Sequence, residues 1–274
     1  MPYPENALDL LTPYFPVFST APASTNVFDP SVSAILGGSN PVLLPDEGWP
    51  RCGSCEDNIL IPFIQINVSS SHTPAEFRQK VGVEAEPGHT ILLQVFICAE
   101  DDCADCFGAR LFGAFDDAFL VRVIEVTVES ANTAAVEETR AGLAADRFFI
   151  PQRVISGWTP GNPEMLHEAV NNEIEYDDPQ YLEHAPAPGL KLLGFPVQGK
   201  YYSSIIERCP KSVRPEQASE HDVRCLLQLG TDCDIEDGPV SADAVTGIYA
   251  TGNTWIEQCT VHPDVLSMTI GGDW

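Results

Sequence analysis

The chain has 274 residues, 44% of them hydrophobic, which is enough for one large or two small globular domains. Its 40 acidic residues outnumber its 14 basic ones and give a net charge of −26. This balance argues against binding to nucleic acid or to an anionic membrane surface, because both attract Lys and Arg. The acidity either keeps the protein in solution or attracts a basic protein partner.

The predicted elements of the first half follow a proline-rich segment, residues 1–35, which we expect to be irregular. The many Gly and Pro residues of 36–53 predict an ordered loop or a series of turns. Further on, Thr73 as N-cap, Pro74 at the first helical position and Glu76 in a capping box predict the start of a helix. Apolar, β-branched runs predict β-strands at 58–68, 89–98, 108–115 and 119–128.

The middle of the chain is acidic and rich in helix-forming residues. This composition predicts helices over 130–145 and 162–176, followed by a linker at 183–189. Strand-like sequence then returns in five stretches, 191–197, 224–230, 245–251, 253–259 and 265–274.

A short internal similarity relates the two halves of the chain. The apolar stretches around Gln65 and Gln228 each follow a Cys, and each precedes a strand that ends in a Cys, at Cys98 and Cys259. This order indicates a duplicated β unit. We therefore predict an α+β fold of two similar, mainly antiparallel β units with an inserted acidic helical segment. The expected divisions are an irregular segment at 1–35, a first β unit at 36–128, a helical and linker segment at 129–189 and a second β unit at 190–274.

The nine cysteines indicate metal binding or free thiols. The N-terminus has no basic stretch followed by an uninterrupted apolar run, so we expect no signal peptide and a cytoplasmic protein. In such a protein an odd number of cysteines disfavours a framework of disulfides.

Five cysteines of the first half predict a structural zinc site. Cys52 and Cys55 lie three residues apart on a Gly-containing turn, which is the spacing of a zinc knuckle. The expected ligands are Cys52, Cys55, Cys98 and Cys103, with Cys106 as a competitor. The alternatives are buried thiols, a disulfide, or a thioredoxin-like redox pair. The redox pair is disfavoured because this Cys-x2-Cys precedes a strand instead of opening a helix.

The second half offers a less complete metal site. Only Cys259 and His262 have knuckle spacing, and no second knuckle pair precedes them. Other candidate ligands in this half are Cys209, His221, Cys225 and Cys233. The alternative is a copy of the first site that has lost its metal. The sequence has no phosphate-binding loop and no GxSxG, HExxH or GxGxxG motif, so we assign no catalytic residue.

The order of several motifs resembles the YwqG-like family, a domain of unknown function. The motifs are LGG…P, WPRCGSCEDNILIPFIQINV, ILLQVFIC, KLLGFPVQG, LLQLGTD and CTVHPDVLSMTI, which lie within 36–113 and 190–270. The first half also resembles the programmed cell death protein 2 family, through its Gly-Gly loop, its Cys-x2-Cys pair and the stretch LLQVFICAEDDC. That resemblance implies the four zinc ligands chosen above and a role as chaperone of a ribosomal protein. The second half departs from that family's pattern, so the identity of the client is not implied.

We predict a non-enzymatic protein-binding module with a structural Zn²⁺, acting as a chaperone or sequestering partner for a basic client protein. No nucleic-acid or membrane partner is expected, and the sequence indicates no oligomeric state. One alternative is an enzyme whose site lies in the groove between the two halves. Another is an immunity-type protein that neutralises a toxin. A deep pocket with converging polar groups would favour the enzyme, and a broad acidic face would favour the binding module.

Overall fold

The computed structural model describes the residues that form the sheet and the loops beside it. These are residues 10–20, 24–54, 58–82, 84–98, 118–143, 149–164, 184, 186–187, 189–195, 209, 211, 223–229 and 252–272. The expected strands at 108–115 and 245–251 lie outside these residues, as does most of the expected helix at 162–176.

An antiparallel sheet of ten strands dominates the described structure. The strands are β1 (Tyr14–Phe18), β2 (Ala34–Leu36), β3 (Ile61–Asn67), β4 (Thr90–Ile97), β5 (Phe119–Val126), β6 (Arg153–Pro160), β7 (Lys191–Leu192), β8 (Val223–Leu229), β9 (Gly252–Cys259) and β10 (Leu266–Gly272). Their order across the sheet is β10-β9-β8-β7-β1-β6-β2-β3-β4-β5. Two helices lie wholly within the described residues, α1 (Ala75–Val81) and α2 (Thr133–Gly142). The expected mainly antiparallel β structure is thus confirmed.

The sheet curves round its core, because its two edge strands, β5 and β10, approach each other. All seven residues of β3 and seven of the eight in β4 are buried. A strand that is covered on both faces reads as a continuous apolar run. For this reason the ends of β3 and β4 predicted from the sequence agree with the structure to within three residues.

Helix α1 packs against strands from both halves of the chain. Phe77 and Val81 are fully buried in the main core cluster, which includes residues of β3, β4, β8 and β9. Arg224 of β8 donates a hydrogen bond to the carbonyl oxygen of Lys80, and Gln258 of β9 donates one to that of Val81 at 3.3 Å. The helix therefore joins the first half of the sequence to the far end of the sheet.

The start of α1 differs from the expected capping box. Pro74 occupies the N-cap position, and no side chain caps the helix. The Thr73 hydroxyl instead donates to the carbonyl oxygen of Asn67 at 2.7 Å and lies 2.6 Å from the Ser33 hydroxyl. Thr73 thus ties the chain before the helix to the sheet, which leaves its hydroxyl unavailable as a cap.

The proline-rich N-terminal segment supplies a central strand. β1 pairs with β6 along its length and meets β7 through Tyr14 and Leu192. The expectation that residues 1–35 are irregular is therefore wrong for Tyr14–Phe18. Both partners of β1 come from the second half of the chain, so the local sequence gives little sign of this strand.

The pairs β3–β4 and β8–β9 share an irregularity of register. The first pair shifts register between Pro62 and Ile64, and the second between Cys225 and Leu227. Gln65 and Gln228 follow these shifts at the same distance and are both buried. In each case one residue of the strand is left out of the ladder, as in a β-bulge.

The turns after β2 and β7 also share a backbone conformation. Gly37 and Leu193, and the glycine that follows each of them, all have positive φ. The amide of Gly37 donates to the carbonyl oxygen of Phe63 at 2.7 Å, and that of Leu193 donates to Leu226 at 3.0 Å. Phe63 and Leu226 are the residues left out of the two ladders.

Candidate metal centre

Three side chains of the types that bind metals meet at the end of β9. The Sγ atoms of Cys209 and Cys259 and a ring nitrogen of His262 all lie within 4.8 Å of one another. His262 Nδ1 is 3.5 Å from Cys209 Sγ and 3.9 Å from Cys259 Sγ. Both cysteines are buried, and His262 is partly exposed. The cluster is therefore accessible from the side of the histidine.

These separations fit a zinc ion. Zn–S bonds of about 2.3 Å and Zn–N bonds of about 2.1 Å in a tetrahedron place the sulfur and nitrogen ligands about 3.6 Å apart. The two S–N distances, 3.5 and 3.9 Å, lie on either side of that value. Thiolate and imidazole ligands are also those that zinc commonly takes in proteins. The three residues present could thus hold zinc with only small movements of their side chains.

The turn between β9 and β10 fixes two of the three donors. The amide of Val265 donates to the carbonyl oxygen of His262 at 2.8 Å, and the amide of Cys259 donates to that of Val265 at 3.1 Å. Gln258 Nε2 donates to the carbonyl oxygen of Pro263 at 2.7 Å. The backbone that separates Cys259 from His262 is therefore held by hydrogen bonds of its own.

Cys209 reaches the cluster from a separate part of the chain. It packs with Cys259 and Val265 in a small apolar cluster. Lys211 forms an ion pair with Asp264 of the turn, and this hydrogen bond lowers the pKa of Asp264. Because the pair is exposed, it contributes little to stability. Burial, and a metal when bound, would hold Cys209 in place more strongly than this ion pair does.

A cation lies beside the cluster. Arg224 Nε donates to Gln258 Oε1 at 2.7 Å. Burial lowers the pKa of Arg224, and the negative charge of the Cys259 thiolate acts in the opposite direction. Arginine stays protonated at neutral pH even so. Arg224 therefore places a positive charge close to Cys259.

Cys225, another candidate ligand from the sequence, is not part of the cluster. It lies in β8 and keeps some solvent exposure. Burial of its thiol, with a further contribution from the carboxylate of Glu257, nevertheless raises the pKa of Cys225 to about 12. This thiol stays protonated at neutral pH, which makes it a poor metal ligand.

In the first half, the structure describes two of the expected zinc ligands. Cys52 and Cys98 are buried in one apolar cluster. The amide of Cys98 donates to the carbonyl oxygen of Ala118 at 2.8 Å. The other expected residues, Cys55, Cys103 and Cys106, lie outside the described residues, so the zinc site of the first half stays a prediction. All five cysteines in the described part of the chain are thiols, with no disulfide among them.

The fold adds a ligand to the pair that the sequence indicated in the second half. The spacing of Cys259 and His262 predicts two of the three donors, and Cys209 is one of several candidates for the third. One signal in the sequence points to it: Cys209 precedes the strand of Gln228, as Cys52 precedes the strand of Gln65. His221 and Cys233 lie outside the described residues.

A buried ion pair near the centre of the sheet has a structural role. Lys191 Nζ donates to both carboxylate oxygens of Glu164, at 2.7 and 2.8 Å, and to the carbonyl oxygen of Phe195 at 2.7 Å. The carboxylate also accepts hydrogen bonds from the amides of Ala187 and Phe195. Burial raises the pKa of Glu164, and the charge of Lys191 opposes that rise. The pair ties the chain on both sides of β7 to the end of β6.

A surface pocket of about 350 Å³ lies beside the start of α2. Its walls come from the 25–28 and 40–43 loops and from residues such as Val136 and Arg140 of the helix. The polar side chains of the lining include Thr25, Thr133 and Glu137.

No protein-family model matches the chain, and no curated protein and no solved structure matches it. The resemblances to the YwqG-like and programmed cell death protein 2 families therefore stay predictions. Among the described residues, no helix has the length and apolar character needed to cross a membrane.

Proposed function

We propose that the chain is a zinc-stabilised, non-enzymatic protein-binding module whose client is a basic protein. The Cys209–Cys259–His262 cluster carries the zinc part of this proposal, because its separations fit a tetrahedral site. The net charge of −26 supports the choice of a basic client. The function is thus of the same kind as that implied by the programmed cell death protein 2 resemblance, a dedicated chaperone or sequestering partner.

The module consists of two similar units, β1–β5 and β6–β10. With this division the sheet order is symmetric about its centre: outward from the centre it reads β1, β7, β8, β9, β10 on one side and β6, β2, β3, β4, β5 on the other. The first strand of each unit thus lies in the other unit's half of the sheet. The shared register shifts and the shared positive-φ turns support this division.

The two units place a cysteine at the same point of the framework. Cys98 and Cys259 occupy the end of the fourth strand of each unit. Their amides donate to the residue before the fifth strand, Ala118 at 2.8 Å and Val265 at 3.1 Å respectively. This equivalence supports a metal centre in both units.

A zinc ion in each unit would act as a clamp. In the first unit, Cys52 and Cys55 would join Cys98 and Cys103 and so connect the loop before β3 to the end of β4. Four thiolates leave no coordination position open, so that metal is structural. Its binding free energy then contributes directly to the stability of the fold.

Two of the few cations are used in largely buried ion pairs, while others, such as Lys211, are exposed. In the described residues, Arg122 pairs with Glu47 and Lys191 with Glu164, and both cations are largely buried. Exposed acidic side chains in the described residues include Glu84, Glu86, Glu125, Glu129, Glu137 and Glu138. A surface of this kind attracts a Lys- and Arg-rich chain and repels an acidic one.

The proposal can be tested by capturing the client from the native host. The association rate of the purified pair is then measured at increasing salt concentration. The Debye length falls from about 10 Å at 0.1 M to about 3 Å at 1 M salt, so electrostatic steering should collapse over that range. Glu137→Gln with Glu138→Gln should slow association at low salt, and Glu137→Asp with Glu138→Asp, which keeps the charge, should not. An acidic client, or a rate that salt leaves unchanged, would contradict the proposal.

A further inference from the structure

We infer that Glu86, His89 and Glu125 form a binding site for a divalent metal ion, of the class that includes Zn²⁺ and Mn²⁺, where β4 begins and β5 ends. The site uses one imidazole and two carboxylates. It shares no residue with the Cys209–Cys259–His262 cluster and needs no client protein, so it does not depend on the proposed function.

A tight turn brings Glu86 and His89 together. The sequence Glu86-Pro87-Gly88-His89 has proline at the second turn position and glycine at the third, which is the pattern of a type II turn. In the structure Gly88 has a φ of 84°, as that turn requires, and the amide of His89 donates to the carbonyl oxygen of Glu86 at 2.9 Å. A carboxylate and an imidazole therefore lie at the two ends of one turn.

The neighbouring strand supplies the second carboxylate. Glu125 lies opposite Ile91 in the β4–β5 ladder. Its Oε1 atom accepts a hydrogen bond from the amide of Glu86 at 2.7 Å and lies 3.2 Å from His89 Nδ1. One donor atom from each of the three side chains lies within 4.8 Å of the other two. The turn and the strand thus direct three possible ligands to one place.

The separation of the closest two donors fits a shared metal ion. Bonds of about 2.1 Å to nitrogen and oxygen place two ligand atoms about 3.0 Å apart at a right angle and about 3.4 Å apart in a tetrahedron. The distance of 3.2 Å between His89 Nδ1 and Glu125 Oε1 lies between these values. Zinc takes imidazole and carboxylate ligands, and carboxylates also suit manganese.

The charges of the three side chains match a divalent cation. Imidazole binds metal in its neutral form, so the three ligands together carry two negative charges. Among the described residues, the one ion pair that either carboxylate forms is that of Glu125 with His89. The side chains of His89 and Glu125 are 35% and 34% exposed, so an ion from solvent can reach them and keep water among its ligands.

The experiment titrates the full chain with Mn²⁺ and follows binding by electron paramagnetic resonance. Mn²⁺ is the probe because it prefers carboxylate and water ligands to thiolates, so the cysteines compete little. Replacing either of two ligands, by His89→Gln or Glu125→Gln, should weaken the strongest binding step by about tenfold or more, since loss of groups that merely support metal ligands already costs about 10–100-fold. Cys259→Ser should bind Mn²⁺ as wild type does.

A matched control separates coordination from general attraction of cations to a chain of net charge −26. Glu129→Gln removes one negative charge from an exposed position near the same strand end, and salt screening should limit its effect on the affinity to less than about twofold. Equal weakening by Glu129→Gln and Glu125→Gln would contradict the inference. So would unchanged binding in His89→Gln, which removes the imidazole and no negative charge.

A measurement on wild type tests the site without any substitution. Pulsed electron paramagnetic resonance should detect one imidazole nitrogen bound to the Mn²⁺ ion. Zn²⁺ should displace that ion, because nitrogen and oxygen ligands bind zinc more tightly than manganese. Bound Mn²⁺ without the nitrogen signal, or no binding above that of Mn²⁺ to an unrelated acidic protein, would show that the three side chains do not form a metal site.

Discussion

Two pairs of buried cysteines lie beside the ends of β4 and β9, and they differ in the side chains around them. Cys52 and Cys98 lie in a cluster of apolar residues. Cys209 and Cys259 meet the ring of His262, which the turn after β9 supplies. If the two units are equivalent as proposed, the strands place the thiols and the segments between the strands decide whether a metal binds there.

The largest loss of stability is expected when one of the two equivalent cysteines is replaced. Cys259→Ser should lose one zinc and lower the free energy of unfolding by more than about 4 kcal/mol, because the binding energy of a structural metal is part of the folding energy. Denaturant titration in the presence of zinc measures the change. Cys225→Ser, which removes a thiol of the same region that is no ligand, should cost about 1 kcal/mol and keep the metal. Equal stability of the two variants would refute a metal at Cys259.

The two buried glutamines test whether the units are alike. Gln65 bonds to the backbone of Asn40 and Val42, and Gln228 bonds to the backbone of Ala187 and Gly189. Replacing either by Leu leaves buried backbone groups without partners, at an expected cost of about 2–4 kcal/mol for each. Gln79→Leu, at an exposed position of α1, should change stability by less than about 0.5 kcal/mol. A large loss for one glutamine and none for the other would mean that the two positions are not equivalent.

The pH dependence of stability distinguishes Cys225 from the thiols of the candidate metal centre. A free thiol in the unfolded chain titrates near pH 8.5, whereas burial raises the pKa of Cys225 to about 12 in the folded protein. Its stabilising contribution is therefore complete below about pH 8.5 and falls as the pH rises toward 12. Compared with wild type, Cys225→Ala should lose less stability between pH 9 and 11, by up to about 1.4 kcal/mol per pH unit. Parallel curves for the two proteins would show that the pKa of Cys225 is not raised.

The smallest effect is expected for the exposed ion pair next to the second centre. Lys211→Ala removes the partner of Asp264, which is exposed and screened by salt. Metal content and stability should both stay close to those of wild type. Loss of zinc in this variant would mean that the ion pair, and not the metal with its buried thiols, positions Cys209.

The elements that were predicted correctly are those whose sequence pattern lies within the element itself. β3 and β4 are continuous apolar runs because both faces are covered, and α1 lies within the stretch where a helix is expected. β1 is different, since Tyr14–Phe18 contains a proline and is held by strands from the second half.

The same contrast between local and long-range signals applies to the residues of the candidate metal centre. Cys259 and His262 share one turn, so their spacing alone reveals them as a pair. Cys209 joins them from 50 residues away through the packing of the sheet. The only sequence signal for Cys209 is its position before β8. That signal can be recognised only after β8 has been matched to β3.

We propose that each unit holds a zinc ion through its equivalent cysteine, and native mass spectrometry of protein never exposed to a chelator tests this by counting the bound ions. The expected result is one zinc for each unit in wild type, with one fewer in Cys98→Ser and one fewer in Cys259→Ser. Wild-type protein without zinc, or a zinc content that neither substitution changes, would contradict the claim.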